Sequence, residues 1–84
     1  MRFALIWSDT AYQELAAIYT RVGNAEQFLD ELIERFEYAL ARAPDRVGGH
    51  ADGDWYYRQR PMTVFYAIDD LAREVTILSV AMDS

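Results

Sequence analysis

The first periodic pattern of apolar and polar positions in the chain is helical. Between Asp9 and Val22, apolar residues recur every three or four positions, so that they fall on one side of a helix turning about 100° per residue. Ser8 offers an N-cap oxygen before this segment, and Gly23 after it is suited to the left-handed residue that ends many helices. The sequence therefore predicts a helix over 9–22, with an apolar side made of Ala11, Tyr12, Leu15, Ala16, Ile18, Tyr19 and Val22.

A second helix is predicted over 25–43, where the helical period is clearest. Asn24 and Gln27 have the spacing of a capping box at its start, and Pro44 ends it. One face is acidic and is expected to be solvated; it consists of Glu26, Asp30, Glu34 and Glu37. The opposite face is apolar and consists of Phe28, Leu29, Leu32, Ile33, Phe36, Ala39 and Leu40. Because only two residues separate the two helices, we expect an antiparallel hairpin whose apolar surface needs a flat cover.

The remaining segments have the composition of strands and one loop. The continuous apolar run 3–7 predicts a strand buried on both faces, and hence a central one. Residues 55–60, 62–68 and 74–80 are rich in aromatic and β-branched residues and predict three more strands. The glycine-rich segment 45–54 predicts a loop. The resulting order is β-α-α-β-β-β, an α+β domain with a helical hairpin on one face of a small, largely antiparallel sheet. Its predicted core contains Leu15, Ile18, Phe28, Leu32, Phe36, Val64, Tyr66 and Ile77.

The segment around Pro61 predicts a β-hairpin with two outward-facing arginines. If Pro61 and Met62 occupy the turn, Arg60 lies opposite Thr63 and Arg58 lies opposite Phe65. Alternation along the strands then places one set of side chains on the open face of the sheet: Tyr56, Arg58, Arg60, Thr63, Phe65 and Ala67. Two interpretations remain. The arginines are either solvated residues stacked on aromatic rings, or parts of a site that handles phosphate.

The charge of the chain argues against binding to free nucleic acid. The 84 residues form one domain with a formal charge of −6, and all eight basic residues are arginine. Residues 8–43 carry seven acids against three arginines, and only the segment 44–68 reaches neutrality. A surface that binds phosphates normally has a basic footprint. The sequence offers no apolar run of the roughly 20 residues that cross a membrane and no secretory signal, so we expect a cytoplasmic protein.

Other candidate chemistry is sparse. The chain has no cysteine, which excludes disulfides and thiolate sites. His50, Asp52 and Asp54 stand at alternate positions, but one histidine and two carboxylates on a glycine-rich loop do not complete a ligand set. We therefore expect no metal and no cofactor.

The layout as a whole resembles the RelE/ParE superfamily of bacterial toxins, the toxin halves of type II toxin–antitoxin (plasmid-stabilisation) modules. The resemblance covers nearly the whole chain. It rests on the order and spacing of several short motifs rather than on any one of them: Ile6-Trp7-Ser8 before the first helix, Ala43-Pro44 after the second, Gly48 or Gly49, Tyr57-Arg58, residues 64–69 (VFYAID) and residues 75–80 (VTILSV).

Members of this superfamily that cut messenger RNA on the ribosome hold an arginine at the place of Arg58. The resemblance implies a catalytic role for Arg58, whose guanidinium would stabilise charge on the phosphoryl oxygens while a ribose 2′-hydroxyl attacks. It implies that Arg60 and Tyr56 would help to hold the substrate, and Tyr56 or His50 are candidates for the base. The sequence departs from the cleaving members at residues 81–84 (AMDS), where they carry basic, histidine or tyrosine residues, and in having no lysine.

ParE-like members act by trapping DNA gyrase through protein contacts, which needs no RNA-cutting residues. The resemblance thus implies a toxin-family protein with an antitoxin encoded nearby as its partner. Three activities compete: growth inhibition through a protein target, gyrase-like or other; ribosome-dependent mRNA cleavage centred on Arg58; and a non-catalytic binding module. The departures favour the first and third. Because the second helix is acidic, we expect the partner to dock through a basic or mainly apolar segment, or on the Tyr56–Arg58–Arg60–Phe65 face.

Overall fold

A computed structural model describes residues 2–83 and consists of a five-stranded sheet with helices on one face. The strands are β1 (Ala4–Trp7), β2 (Gly49–Ala51), β3 (Asp54–Gln59), β4 (Met62–Asp69) and β5 (Glu74–Met82). The helices are α1 (Asp9–Val22), α2 (Glu26–Arg42) and the short α3 (Pro44–Val47), and a single 3-10 turn, Gly23–Ala25, joins α1 to α2. The predicted α+β class, with a helical hairpin on a small and largely antiparallel sheet, is confirmed. Within residues 2–83, no helix combines the length and apolar character needed to cross a bilayer.

The sheet has the order β1-β5-β4-β3-β2, in which only β1 and β5 run parallel. The prediction that residues 3–7 form a central strand is therefore wrong, because β1 lies at an edge. Leu5 and Trp7 pack against the core, whereas Ala4 and Ile6 alternate with them and remain exposed. The run is continuous because apolar residues, Ala4 and Ile6, also occupy the open face, and not because the strand is buried on both sides.

The helix ends agree with the sequence at α1 and differ at α2. Ser8 Oγ accepts a hydrogen bond from the backbone N–H of Ala11 at 3.1 Å, as an N-cap should. The predicted capping box of Asn24 and Gln27 is wrong, since the N-cap residue of α2 is Ala25 and it makes no side-chain cap hydrogen bond. The 3-10 turn runs directly into α2, so the residue before the helix is Ala25, which has no side-chain oxygen to offer.

The core lies between the helices and the inner face of the sheet. Its buried residues are Ala11, Ile18, Leu29, Leu32, Phe36, Leu40, Met62, Val64, Tyr66, Val75, Ile77 and Val80. Six of the eight predicted core residues are among them, and Leu15 packs partly buried against them. Phe28 was predicted wrongly: it is 44% exposed. The buried stripe of α2 runs through Leu29, Leu32, Phe36 and Leu40, and Phe28 lies about 100° away from Leu29 around the helix.

The segment predicted as a loop contains both α3 and β2. Tyr66 Oη donates a hydrogen bond to the Pro44 carbonyl oxygen at 2.6 Å, which ties β4 to the start of α3. Burial, and then the negative charge of Asp45, raise the pKa of Tyr66 to about 12. The chain passes this contact closely at Gly48, where a Cβ would collide with the Tyr66 hydroxyl and the Tyr56 carbonyl oxygen. Gly48, one of the glycines that predicted a loop, is thus needed for close packing.

The β3–β4 hairpin has a different register from the predicted one. Tyr56 lies opposite Phe65 and Arg58 opposite Thr63, which leaves Arg60 and Pro61 in the turn. The offset is two residues, so the side chains within the two strands stay on their predicted faces, but Arg60 leaves the strand for the turn. Met62 is fully buried as the first residue of β4, paired with Met82 of β5, and therefore cannot serve as a turn residue.

Candidate functional site

The candidate site lies on the face of the sheet that the helices leave open. Tyr56 and Arg58 on β3 and Phe65 on β4 point to this face, while Tyr57, Val64 and Tyr66 point to the core. Tyr56 and Phe65 form a cross-strand pair, and they are 39% and 36% exposed. Arg60 belongs to the turn and not to β3, and it is exposed at the end of the hairpin. The structure thus brings Tyr56 and Arg58 together on one face, with Arg60 beyond them.

Arg58 has a partner that the sequence did not reveal. Its Nη2 atom lies 2.8 Å from Asp83 Oδ2, and this is the only ion pair among residues 2–83. Asp83 is held in place at the end of β5 because its backbone N–H donates to the Pro61 carbonyl oxygen at 2.7 Å. The two side chains remain 49% and 33% exposed, so the pair is a surface feature of modest strength. The ion pair places the negative charge of Asp83 in contact with the Arg58 guanidinium.

Of the two candidate bases, only Tyr56 shares a face of the sheet with Arg58. His50 pairs with Trp55 across β2 and β3, and their ring centroids are 4.9 Å apart. Since Trp55 belongs to the inner set of β3, His50 is on the opposite side of the strand from Arg58. The Tyr56 ring lies over Gly49 of β2, where an added Cβ would come within 2.6 Å of the Tyr56 hydroxyl oxygen. That hydroxyl therefore lies over the neighbouring strand.

A metal site is not formed by the described side chains. Across residues 2–83, no three histidine, aspartate or glutamate side chains come together as a set that could hold an ion. His50 lies on β2, Asp52 has a positive φ of 54° in the following turn, and Asp54 begins β3. That the protein binds no metal stays a prediction.

The acidic face of α2 is predicted to be solvated, but two of its carboxylates form hydrogen bonds with neighbouring elements. Glu37 accepts a hydrogen bond from Trp7 Nε1 at 3.1 Å, and Asp30 accepts one from Tyr19 Oη at 2.5 Å. Burial, followed by the hydrogen bond and charge of Asp30, raises the pKa of Tyr19 to about 12. Two of the four acids thus tie α2 to β1 and α1.

Glu14 of α1 covers backbone of β5 that β1 leaves without a neighbour. The pairing of β1 with β5 ends at Trp7 and Ile77. Beyond it, Glu14 Oε1 accepts from Ser79 Oγ at 2.8 Å and from the backbone N–H of Val80 at 3.0 Å. A carboxylate is a strong acceptor for an exposed edge amide, and it also discourages a further strand from adding at this position.

Comparison with known proteins agrees with this architecture. The family model for the ParE toxin of type II toxin–antitoxin systems (parDE) matches residues 5–83. The chain therefore belongs to the ParE toxin family, and the predicted RelE/ParE relationship is confirmed. A chain in the crystal structure of the RelBE2 toxin–antitoxin complex from Mycobacterium tuberculosis is similar, with a TM-score of 0.78 and 26% identity over 98% of this chain and 92% of that chain. No curated protein matches the sequence.

Proposed function

We propose that this chain is the toxin of a type II toxin–antitoxin module and inhibits growth through contacts with a protein target, gyrase or another. Membership of the ParE toxin family supports the toxin role. The similarity to a chain of a toxin–antitoxin complex supports an antitoxin as partner. We favour a protein target over RNA cleavage because Arg58 forms an ion pair with Asp83.

Cleavage of RNA by its own 2′-hydroxyl forms a bond from that oxygen to phosphorus and breaks the bond from phosphorus to the 5′-oxygen of the next nucleotide. A fixed cation contacts the phosphoryl oxygens where charge develops, a base takes the hydroxyl proton, and an acid protonates the departing 5′-oxygen. The Arg58 guanidinium already contacts a carboxylate at 2.8 Å, so an approaching phosphate would meet a negative charge at that position. With His50 on the other side of β3, the geometry does not favour RNA cleavage.

The open face is better suited to contact with a protein than to contact with RNA. Four exposed apolar side chains, one on each of β1, β5, β4 and β3, follow one another across this face: Ile6, Leu78, Phe65 and Tyr56, each 36–41% exposed. Aromatic side chains and arginine are enriched in interfaces between proteins, whereas the protein surfaces that bind nucleic acid are strongly basic. A chain with a formal charge of −6 fits the first description.

Ribosome-dependent mRNA cleavage centred on Arg58 is the second candidate. It is favoured by the half-exposed position of Arg58 on the open face, with Arg60 in the adjoining turn and Tyr56 two positions before it. In this mechanism Arg58 would be the catalytic residue, Arg60 and Tyr56 would hold the substrate, and the phosphate would have to displace Asp83 from the guanidinium. A non-toxic binding module that has kept the fold is the third candidate.

Induced expression separates a toxin from a non-toxic module. We expect the chain alone to arrest growth and co-expression of the product of the adjacent reading frame to restore it. Phe36→Asp, which buries a charge, is the unfolded control and should not arrest growth. Normal growth with abundant soluble wild type would contradict the proposal, and so would arrest that the adjacent product does not relieve.

A matched pair of aromatic variants locates the surface in the same assay. Phe65→Ala changes the centre of the open face, whereas Phe28→Ala removes a ring of similar exposure from α2. If the open face contacts the target, Phe65→Ala should weaken the arrest and Phe28→Ala should leave it unchanged. Equal effects of the two variants at equal protein levels would place the contact elsewhere.

A further inference from the structure

A cleft of about 360 Å³ lies at the end of the sheet where β1 and β5 begin and α2 ends. This is the opposite end of β5 from Asp83 and the Arg58 site. Three of the eight arginines of the chain line this arginine cleft, together with two aspartates: its lining consists of Phe3, Arg42, Ala43, Asp45, Arg46, Asp70 and Arg73. None of these residues has a role in the function proposed above.

The three guanidinium groups carry charge that nearby side chains do not neutralise by direct contact. Among residues 2–83, the only ion pair is that of Arg58 with Asp83, so neither Asp45 nor Asp70 pairs with an arginine of the cleft. The formal charge of the lining is +1, from three arginines and two aspartates, on a chain whose formal charge is −6. The cleft is thus a local basic site on an acidic protein.

Two of the guanidinium groups are held in place by aromatic rings. Arg42 lies over the Tyr38 ring at 3.5 Å and donates to the Tyr38 carbonyl oxygen at 3.3 Å. Arg73 lies over the Phe3 ring at 4.2 Å, and its own carbonyl oxygen accepts from the N–H of Ala4 at 2.8 Å. Because these side chains are already ordered, a ligand would bind them with a smaller loss of conformational entropy.

Arg73 also has a donor without a partner. Its Nε atom is buried and makes no hydrogen bond with any residue in 2–83. A buried donor left in this state lowers the stability of the folded protein. Because Nε is enclosed by the protein, a carboxylate in the cleft would accept from the terminal Nη atoms of Arg73 and not from Nε.

We propose that the arginine cleft binds carboxylate side chains from an acidic segment of a partner protein. Asp45, Asp70 and the C-terminal carbonyl groups of α2 disfavour a doubly charged phosphate more than a singly charged carboxylate. The acidic face of α2 would repel such a segment, whereas the arginines of the cleft would attract it. The proposal is independent of which cellular target the protein inhibits.

The test titrates the folded protein with a blocked hexaglutamate peptide, following backbone amide signals by NMR. We expect saturable shifts at the cleft residues that weaken with added salt and are absent with hexaglutamine. Arg46→Gln, on the exposed side of α3, and Arg73→Gln should each weaken binding at least about tenfold, as loss of a charge-assisted hydrogen bond does. Arg21→Gln, at the far end of α1, is the control with the same change of charge and should bind as the wild type does.

Three results would overturn the proposal. The first is the absence of binding by hexaglutamate to the wild type at low salt. The second is binding that Arg46→Gln and Arg21→Gln weaken equally, which would show a general effect of charge. The third is inorganic phosphate that binds in the cleft more tightly than the peptide and displaces it.

Discussion

Phe36→Ala is expected to lower the free energy of unfolding by about 3–5 kcal/mol. Phe36 is fully buried on α2, and its ring meets that of Tyr57 edge-to-face with 5.2 Å between the centroids. The substitution would leave a cavity between α2 and β3 and remove this contact. In a domain of 84 residues, the loss is a large part of the total stability. Chemical denaturation with two-state analysis measures it.

Phe28→Ala is the matched control for this prediction. It makes the same chemical change on the same helix, but Phe28 is 44% exposed and lies outside the buried stripe. We expect the free energy of unfolding to fall by less than about 1 kcal/mol, because a partly exposed side chain gains less free energy from burial than a fully buried one. If the two variants were equally destabilised, the orientation of α2 on the sheet would be wrong.

Gly48→Ala is expected to destabilise the protein by about 2–6 kcal/mol, the sum of overpacking and of a disturbed buried hydrogen bond. A Cβ at this position would collide with the Tyr66 hydroxyl and with the Tyr56 carbonyl oxygen, and the latter belongs to the backbone of β3. To accommodate it, either Tyr66 must release the Pro44 carbonyl oxygen or β2 must move away from β3. The midpoint of denaturant unfolding measures the loss.

Gly53→Ala provides the comparison. Gly53 has no atom within 4 Å of its ideal Cβ position, but its φ of 84° makes alanine strained there. The expected cost is therefore about 1–2 kcal/mol from the backbone alone. A Gly48→Ala variant that is no less stable than Gly53→Ala would show that the close approach to Tyr66 is not a real constraint.

The helices could be predicted well because their signals are local. The hydrophobic period along 9–22 and 25–43 is set by the face that packs on the sheet, and Ser8 caps α1 through a contact three residues away. The exposure of Phe28 could not be predicted in the same way. The helical period shows that an apolar face exists, but the position of the sheet decides which edge of that face remains in solvent.

The sheet could be predicted only in part because its order depends on distant pairings. Residues 3–7 have the composition of a central strand, yet β1 is an edge strand because nothing pairs with its other side among residues 2–83. The three-residue strand β2 lies in a glycine-rich segment, a composition that predicts a loop. Gly48 and Gly49 are needed there because they permit the close approach of Tyr66 and Tyr56. The hairpin register was offset by an even number, which preserved the correct faces.

The candidate site shows the same division. Alternation along β3 was sufficient to place Tyr56 and Arg58 together on the open face. The contact between Arg58 and Asp83 joins residues 25 positions apart, and it depends on the pairing of both strands with β4. With the register known, Asp83 would have been a candidate, because Thr63 lies opposite both Arg58 and Ala81.

Charge connects the two proposed surfaces. The expected docking modes were a basic or apolar segment, or contact confined to the Tyr56–Arg58–Arg60–Phe65 face. The arginine cleft adds a place where an acidic segment would be accepted, at the other end of the sheet. A partner that binds both the open face and the arginine cleft would place its acidic residues in the cleft, at a distance from Glu26 and Glu34 on α2. A reduced affinity at high salt would then arise mainly from the cleft.

Growth inhibition through a protein target is distinguished from RNA cleavage by inducing the wild type and Arg58→Ala. Primer extension maps the mRNA ends while growth is followed in the same cultures. We predict that both chains arrest growth, that neither produces discrete cuts at codons, and that their stabilities differ by less than about 1 kcal/mol, as expected for an exposed ion pair. The contradicting result is discrete cleavage by the wild type that falls by a factor on the order of 10²–10³ in Arg58→Ala, together with loss of the growth arrest.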